Sequence, residues 1–238
     1  MKTLWAFGCS FTQPYFDMIN HDGSEGHYTK YRKYCGGTFP KTWSELLSDK
    51  IGYKLENHGR GGGSCYWSFH RFCEQSHNIQ EGDIVIFQWS HIERFIVAQN
   101  GNELLNVSGP WQFDNAGDLS PITVEEMYVN RTEVAWIQEI NNYMKLMDRL
   151  AELGKFKIFY WSACDSIING ESEEFRKQDK FLINECNHDM IRYLQTKYEG
   201  LTIAQETNGE VPDAHYGKHG HQVLCDLFYN DITSKIQL

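Results

Sequence analysis

Four short stretches of the chain carry residue types that chemistry needs. Gly8-Cys9-Ser10-Phe11-Thr12 offers a hydroxyl at the end of an apolar run, and Asn57-His58-Gly59-Arg60-Gly61-Gly62-Gly63-Ser64 is glycine-rich. Ser90-His91-Ile92-Glu93-Arg94 is a polar cluster, and Asp213-Ala214-His215 sets a carboxylate two residues from an imidazole. A hydroxyl, an Asp/His pair and a backbone rich in accessible N–H groups are what acyl transfer requires: nucleophile, oriented base and oxyanion donors. The glycine stretch is not a phosphate-binding loop, because no Lys-Ser/Thr follows it, and the dinucleotide-binding spacing fails at Ser64. Asp213, His215, His219 and His221 are suitable metal ligands by type, but a compact helix start limits their convergence, so no metal is expected.

These stretches can work together only if the fold brings them to one edge. Thr3–Phe7, Tyr53–Asn57, Asp83–Trp89, Phe156–Trp161 and Leu201–Ala204 read as strands, and the near-continuous apolar run Ile84-Val85-Ile86-Phe87 suits a parallel strand covered on both faces. Thr42–Lys50, Ser64–Ser76, Thr132–Leu153, Ser172–Glu199 and His219–Ile232 read as amphipathic helices, with Ser64 an N-cap and Gly154 a stop. Phe95–Gln99 and Glu103–Val107 flank Asn100-Gly101, a hairpin signal. Residues 12–40 read as loop, long for a connection. The alternation predicts an α/β/α three-layer sandwich around a mostly parallel sheet, in a single domain spanning 1–238 with insertions near 12–40 and 95–130. Ligands of such sheets gather outside the carboxyl ends of the strands, and each of the four stretches follows an expected strand.

In that order the stretches resemble the blocks of the SGNH, or GDSL-like, hydrolase family. Gly8-Cys9-Ser10 is similar to its Gly-Asp-Ser block, with Cys9 for Asp, and puts Ser10 on the nucleophile. Asn57-x-Gly59-x-x-Gly62-x-Ser64 resembles the second block, whose later glycine gives an oxyanion-hole N–H; that glycine is Gly62. Asp213-x-His215, followed by Gly220-His221, resembles the last block, with His215 the general base and Asp213 its orienter; Tyr216 stands where proline is usual. The third block departs: Gln88-Trp89-Ser90-His91-Ile92-Glu93-Arg94 is nearer a Trp-Thr-Asn-x-x-Arg variant of phage-type relatives, with His91 on the asparagine of the oxyanion hole. A histidine ring can donate there. The resemblance implies a flavodoxin-like sandwich and a serine esterase without a cofactor. Its oxyanion hole is built from Ser10, Gly62 and His91, and its substrate is a small acyl ester such as an O-acetylated carbohydrate. The altered third block also admits a weak or inactive, phage-associated binding module.

Other residues are candidates by type alone. Arg60 and Arg94 are solvated or ion-paired by default, and are the candidates for contact with an anionic substrate group. The Trp and Tyr excess is mostly core, but Trp89, Trp111, Tyr28, Tyr31 and Tyr34 cannot all be, and exposed aromatics beside a cleft suit a sugar ring; Trp89 is taken as a substrate contact. Cys9 points away from Ser10 if strand alternation continues, into the core.

Composition sets the outer limits. Among 238 residues, 32 acidic against 22 basic give a formal charge of −10, which disfavours a general nucleic-acid or anionic-membrane binder. Aromatics at 14% exclude disorder. No apolar run is long enough for a membrane span, and the stretch before Gly8 is too short for a signal peptide. Seven cysteines without C-x-x-C spacing point to free thiols in a reducing, cytoplasmic compartment.

Overall fold

The computed structural model describes residues 1–15, 26–90, 94–99, 103–107, 133–162, 179–183 and 190–236. Their elements run β1 (Thr3–Gly8), α1 (His27–Tyr34), α2 (Trp43–Ile51), β2 (Lys54–Gly59), α3 (Cys65–Gln75), β3 (Ile84–Trp89), β4 (Phe95–Gln99) and β5 (Glu103–Val107). Then follow α4 (Glu133–Gly154), β6 (Lys157–Ser162), α5 (Met190–Lys197), α6 (Ile203–Glu206) and α7 (Lys218–Lys235).

Alternation along the strands sorts their side chains into two cores. Leu4 and Ala6 of β1, Ile84 and Ile86 of β3, and Phe159 and Trp161 of β6 face α2, α5 and α7. Trp5 and Phe7, Val85 and Phe87, and Ile158 and Tyr160 face the other way, against α3 and α4. A strand apolar on both sides is stable only when helices cover both faces, so the sequence of β3 dictates the layers. The sheet is parallel throughout, in the order β2-β1-β3-β6. This order matches the first four positions of the flavodoxin-like doubly wound sheet, whose switch point lies between β1 and β3. Trp43 locks one layer: its buried ring meets Trp161 edge-on at 6.0 Å and Phe228 at 5.2 Å. Such pairs add roughly 0.5–1.5 kcal/mol each beyond burial.

Ser64 caps α3 by accepting the Trp67 N–H at 3.0 Å, and β4 and β5 pair antiparallel as the hairpin pattern predicts. Three expectations are corrected. Residues 12–40 are not all loop, since α1 forms within them. Ser172–Glu199 is not one helix: Phe181 bridges to Tyr160 in parallel, with Tyr160 N–H on the Lys180 carbonyl at 2.9 Å and Leu182 N–H on the Tyr160 carbonyl at 2.8 Å. Leu201–Ala204 is not a strand; Thr202 makes a lone antiparallel bridge to Tyr216, and α6 begins at Ile203. No helix among the described residues is long and apolar enough to cross a membrane.

Candidate active site

β1 ends at Gly8, and the chain turns at once, with the Thr12 and Gln13 N–H groups both on the Cys9 carbonyl at 2.9 and 3.0 Å. That turn holds Ser10 half-exposed at the carboxyl edge of the sheet. Gly8 is required by crowding: a Cβ there would lie 2.5 Å from Gln88 Oε1, 2.6 Å from Gln88 Cβ and 2.6 Å from Thr12 Oγ1. Gln88, fully buried near the end of β3, fastens the turn. Its Oε1 accepts from Cys9 N–H at 3.2 Å and the Thr12 hydroxyl at 2.6 Å, and its Nε2 lies 3.0 Å from Cys9 Sγ. Trp43 Nε1 donates to the Phe11 carbonyl at 2.9 Å, and Asn57 Nδ2 to the Thr12 carbonyl at 2.7 Å. The turn bearing Ser10 is thus bonded to β3, α2 and β2 at once. Cys9 itself is buried.

The glycine turn leans on the same strand end. Arg60 N–H donates to the Gly8 carbonyl at 3.0 Å, and Gly63 N–H closes the turn on the Arg60 carbonyl at 2.9 Å. Gly62 has φ of +69°, a left-handed conformation that strains any residue with a Cβ.

Among the described residues, no fifth strand of the sheet leads to Asp213 and His215. Residues 213–217 pair instead with 201–204: Ile203 N–H on the His215 carbonyl and Ala204 N–H on the Asp213 carbonyl, both at 2.9 Å, and Gly217 N–H on the Leu201 carbonyl at 2.8 Å. Asp213 Oδ1 accepts the backbone N–H of His215 at 2.7 Å, a local turn that sets the carboxylate beside its own imidazole. His215 Nδ1 lies 2.7 Å from Asp213 Oδ1, and Nε2 lies 2.8 Å from Ser10 Oγ. The Asp213 side chain is 9% exposed and that of His215 29%, so the carboxylate is shielded while the imidazole meets solvent. Burial pushes the Asp213 carboxyl up, but hydrogen bonds from His215 and Tyr28 outweigh it and hold the group below the usual carboxylate range. An ionised carboxylate accepts only, so Nδ1 carries the proton and Nε2 is left to accept from the Ser10 hydroxyl. Chemically, the arrangement can draw the proton from a serine hydroxyl. The Phe11 ring packs 4.8 Å from the His215 ring, and the Tyr28 hydroxyl lies 3.3 Å from Nδ1.

The remaining candidates scatter. Trp89, expected to touch substrate, is fully buried, 4.6 Å from Phe87 and 5.9 Å from Tyr160, and belongs to the core. The Arg60 guanidinium stands over the Trp67 ring at 4.2 Å, and Arg94 Nη1 donates to Ser90 Oγ at 2.9 Å. His221 is buried with Nδ1 accepting the Trp43 N–H at 3.1 Å, whereas His219 is exposed, so the two rings do not converge with Asp213. Tyr31 is buried, and Tyr34 is half-exposed. His91 and Trp111 lie outside the described residues, as does the third block from 91 to 93. Sequence reasoning missed Gln88, which a buried amide ending an apolar strand should have flagged, and Tyr28's place beside the Asp/His pair.

No family model matches the chain, and no curated protein matches it. Among solved structures it is similar to a chain from Desulfitobacterium hafniense assigned to the lipolytic G-D-S-L family, at 11% identity and a TM-score of 0.41 over 97% of this chain and 99% of that one. A lipolytic G-D-S-L protein of Veillonella parvula shows 13% identity and a TM-score of 0.41, over 98% and 99%. A Bacillus subtilis protein shows 11% identity and a TM-score of 0.43, over 98% of this chain and 56% of that one.

Proposed function

We propose that the chain is a serine esterase of the SGNH type acting on a small acyl ester. The observation that carries the reading is His215 held between Asp213 Oδ1 at 2.7 Å and Ser10 Oγ at 2.8 Å, the serine lying 205 positions away in the chain. Ser10 Oγ attacks the ester carbonyl as its proton passes to His215 Nε2, and Asp213 stabilises the imidazolium. The tetrahedral intermediate collapses, and the departing alcohol takes that proton. Water then attacks the acyl-enzyme by the same route, releasing the acid and restoring Ser10. Backbone N–H groups of Ser10 and Gly62 hold the oxyanion, a contribution of about 10²–10³ in rate per donor.

An O-acetylated carbohydrate is the proposed substrate on the strength of the motif resemblance. The buried thiols Cys9, Cys65 and Cys225 agree with a reducing, cytoplasmic setting. Hydrolysis of a short-chain aryl ester tests the reading: Ser10→Ala should lower kcat by about 10⁴-fold or more with the fold intact by circular dichroism. Activity retained in that variant would remove Ser10 from the reaction.

A further inference from the structure

We propose that Tyr28 is a positioning residue for the Asp213–His215 pair, contributed by the segment inserted between β1 and α2. The inference rests on the serine-hydrolase reading and adds a residue to it. The Tyr28 hydroxyl lies 3.3 Å from His215 Nδ1, the ring nitrogen that also meets Asp213 Oδ1 at 2.7 Å, and hydrogen bonding from Tyr28 helps to lower the Asp213 carboxyl. A phenol donates and a carboxylate accepts, so Asp213 receives a second side-chain donor besides Nδ1–H.

The placement is fixed by the rest of α1. Tyrosines recur every third residue along this helix; Tyr28 reaches His215, and Tyr31 and Tyr34 reach residues that flank the pair in the chain. Tyr31 donates to Glu206 Oε2 at 2.9 Å and accepts the Lys218 N–H at 2.7 Å, and Tyr34 donates to the Glu206 carbonyl at 2.9 Å. Glu206 precedes the pair in sequence and Lys218 follows it, so α1 is pinned on both sides of the residues it serves. Tyr15 packs against Tyr28 with ring centroids 6.3 Å apart and donates to the Tyr216 carbonyl, closing the remaining side. Without these bonds α1 has little reason to form, since its first turn carries no side-chain cap.

The consequence is electrostatic. A carboxylate that shares its charge between two donors stabilises the imidazolium less than one bonded to the imidazole alone. Tyr28→Phe removes the hydroxyl and keeps the ring, so His215 should take up a proton at higher pH. The other titratable groups beside the pair are Tyr15, which also adjoins Tyr28, and the buried His221; the substitution leaves both side chains in place.

The test measures kcat/KM against pH for a short-chain aryl ester, together with the His215 ring titration by NMR, in wild type and Tyr28→Phe. The expected result is an acid limb and a ring midpoint both raised by about half a pH unit, a roughly threefold lower kcat/KM on that limb. An unchanged ring midpoint in a folded Tyr28→Phe overturns the inference, even with lowered stability. The ring titration does not need turnover. A wild type that hydrolyses no ester therefore counts against the hydrolase reading, while the midpoint still decides the role of Tyr28. If Tyr28→Phe does not fold, the wild-type protein decides: a nuclear Overhauser contact between His215 Nδ1–H and the Tyr28 ring supports the inference, and its absence overturns it.

Discussion

For His221 the magnitude of a pH effect on stability follows mainly from burial. Its ring is 5% exposed, its Nδ1 accepts the first N–H of α2 from Trp43, and Tyr15 and Tyr216 meet it edge-on at 5.3 and 6.0 Å. Burial, with a smaller contribution from nearby His215, pushes its pKa from 6.5 down to about 3. The folded protein therefore keeps this ring neutral where the unfolded chain protonates it. The depressed value gives stability that is complete above pH 6.5 and drains away as the pH falls toward 3. At 1.36 kcal/mol per unit, moving from pH 7.5 to pH 5.0 removes about 2 kcal/mol through this one ring. His221→Asn is the informative substitution, because Asn Oδ1 can accept the Trp43 N–H in place of Nδ1 but does not titrate. The variant should lose about 1–3 kcal/mol at pH 7.5 through lost packing. Its further loss at pH 5.0 should be about 2 kcal/mol smaller than that of the wild type. Urea unfolding followed by circular dichroism at both pH values measures this. His58, also lowered by burial, contributes equally to both proteins and cancels. Equal pH dependence in wild type and variant would show that His221 is not held neutral by the fold.

Two further substitutions probe the support beneath Ser10. Gly8→Ala forces a methyl group to within 2.6 Å of Gln88 and Thr12, so thermal unfolding should fall by several degrees and esterase activity should be lost even below the transition. Gln88→Leu strands the Cys9 N–H and the Thr12 hydroxyl, each a buried donor worth about 1–3 kcal/mol when unpaired. Denaturant unfolding should show a loss of at least that size, with kcat falling more than KM changes.

How far the sequence could be read depends on which signals are local. The double-sided apolar runs of β1 and β3 admit only a strand between two helical layers, so the sandwich follows from them. The stretches after β1 and β3 could be located because each begins where such a run stops. Elements held by single side chains were harder. Leu201-Thr202-Ile203 looks like a strand from its branched residues, but the Thr202 side chain accepts from Gln205 N–H at 3.2 Å and the Gln205 side chain bonds back to Thr202 N–H at 3.1 Å. That reciprocal cap outweighs β-propensity and starts a helix. Phe181 and Leu182 fit a helical stripe, yet Phe181 enters one core and Leu182 the other, the signature of extended chain. Tyr28 could not be found from spacing, because its partners lie 185 and 187 positions away and are brought near only by the pairing of 201–204 with 213–217.

Covalent labelling of the folded chain tests most directly whether Ser10 is a nucleophile activated by His215. A fluorophosphonate loses fluoride to an activated serine hydroxyl and leaves a stable phosphonyl ester. One adduct is expected, mapped by mass spectrometry to Ser10, absent in Ser10→Ala and much slowed in His215→Ala. A folded wild-type protein that takes no label, or takes it at another residue, would contradict that role for Ser10.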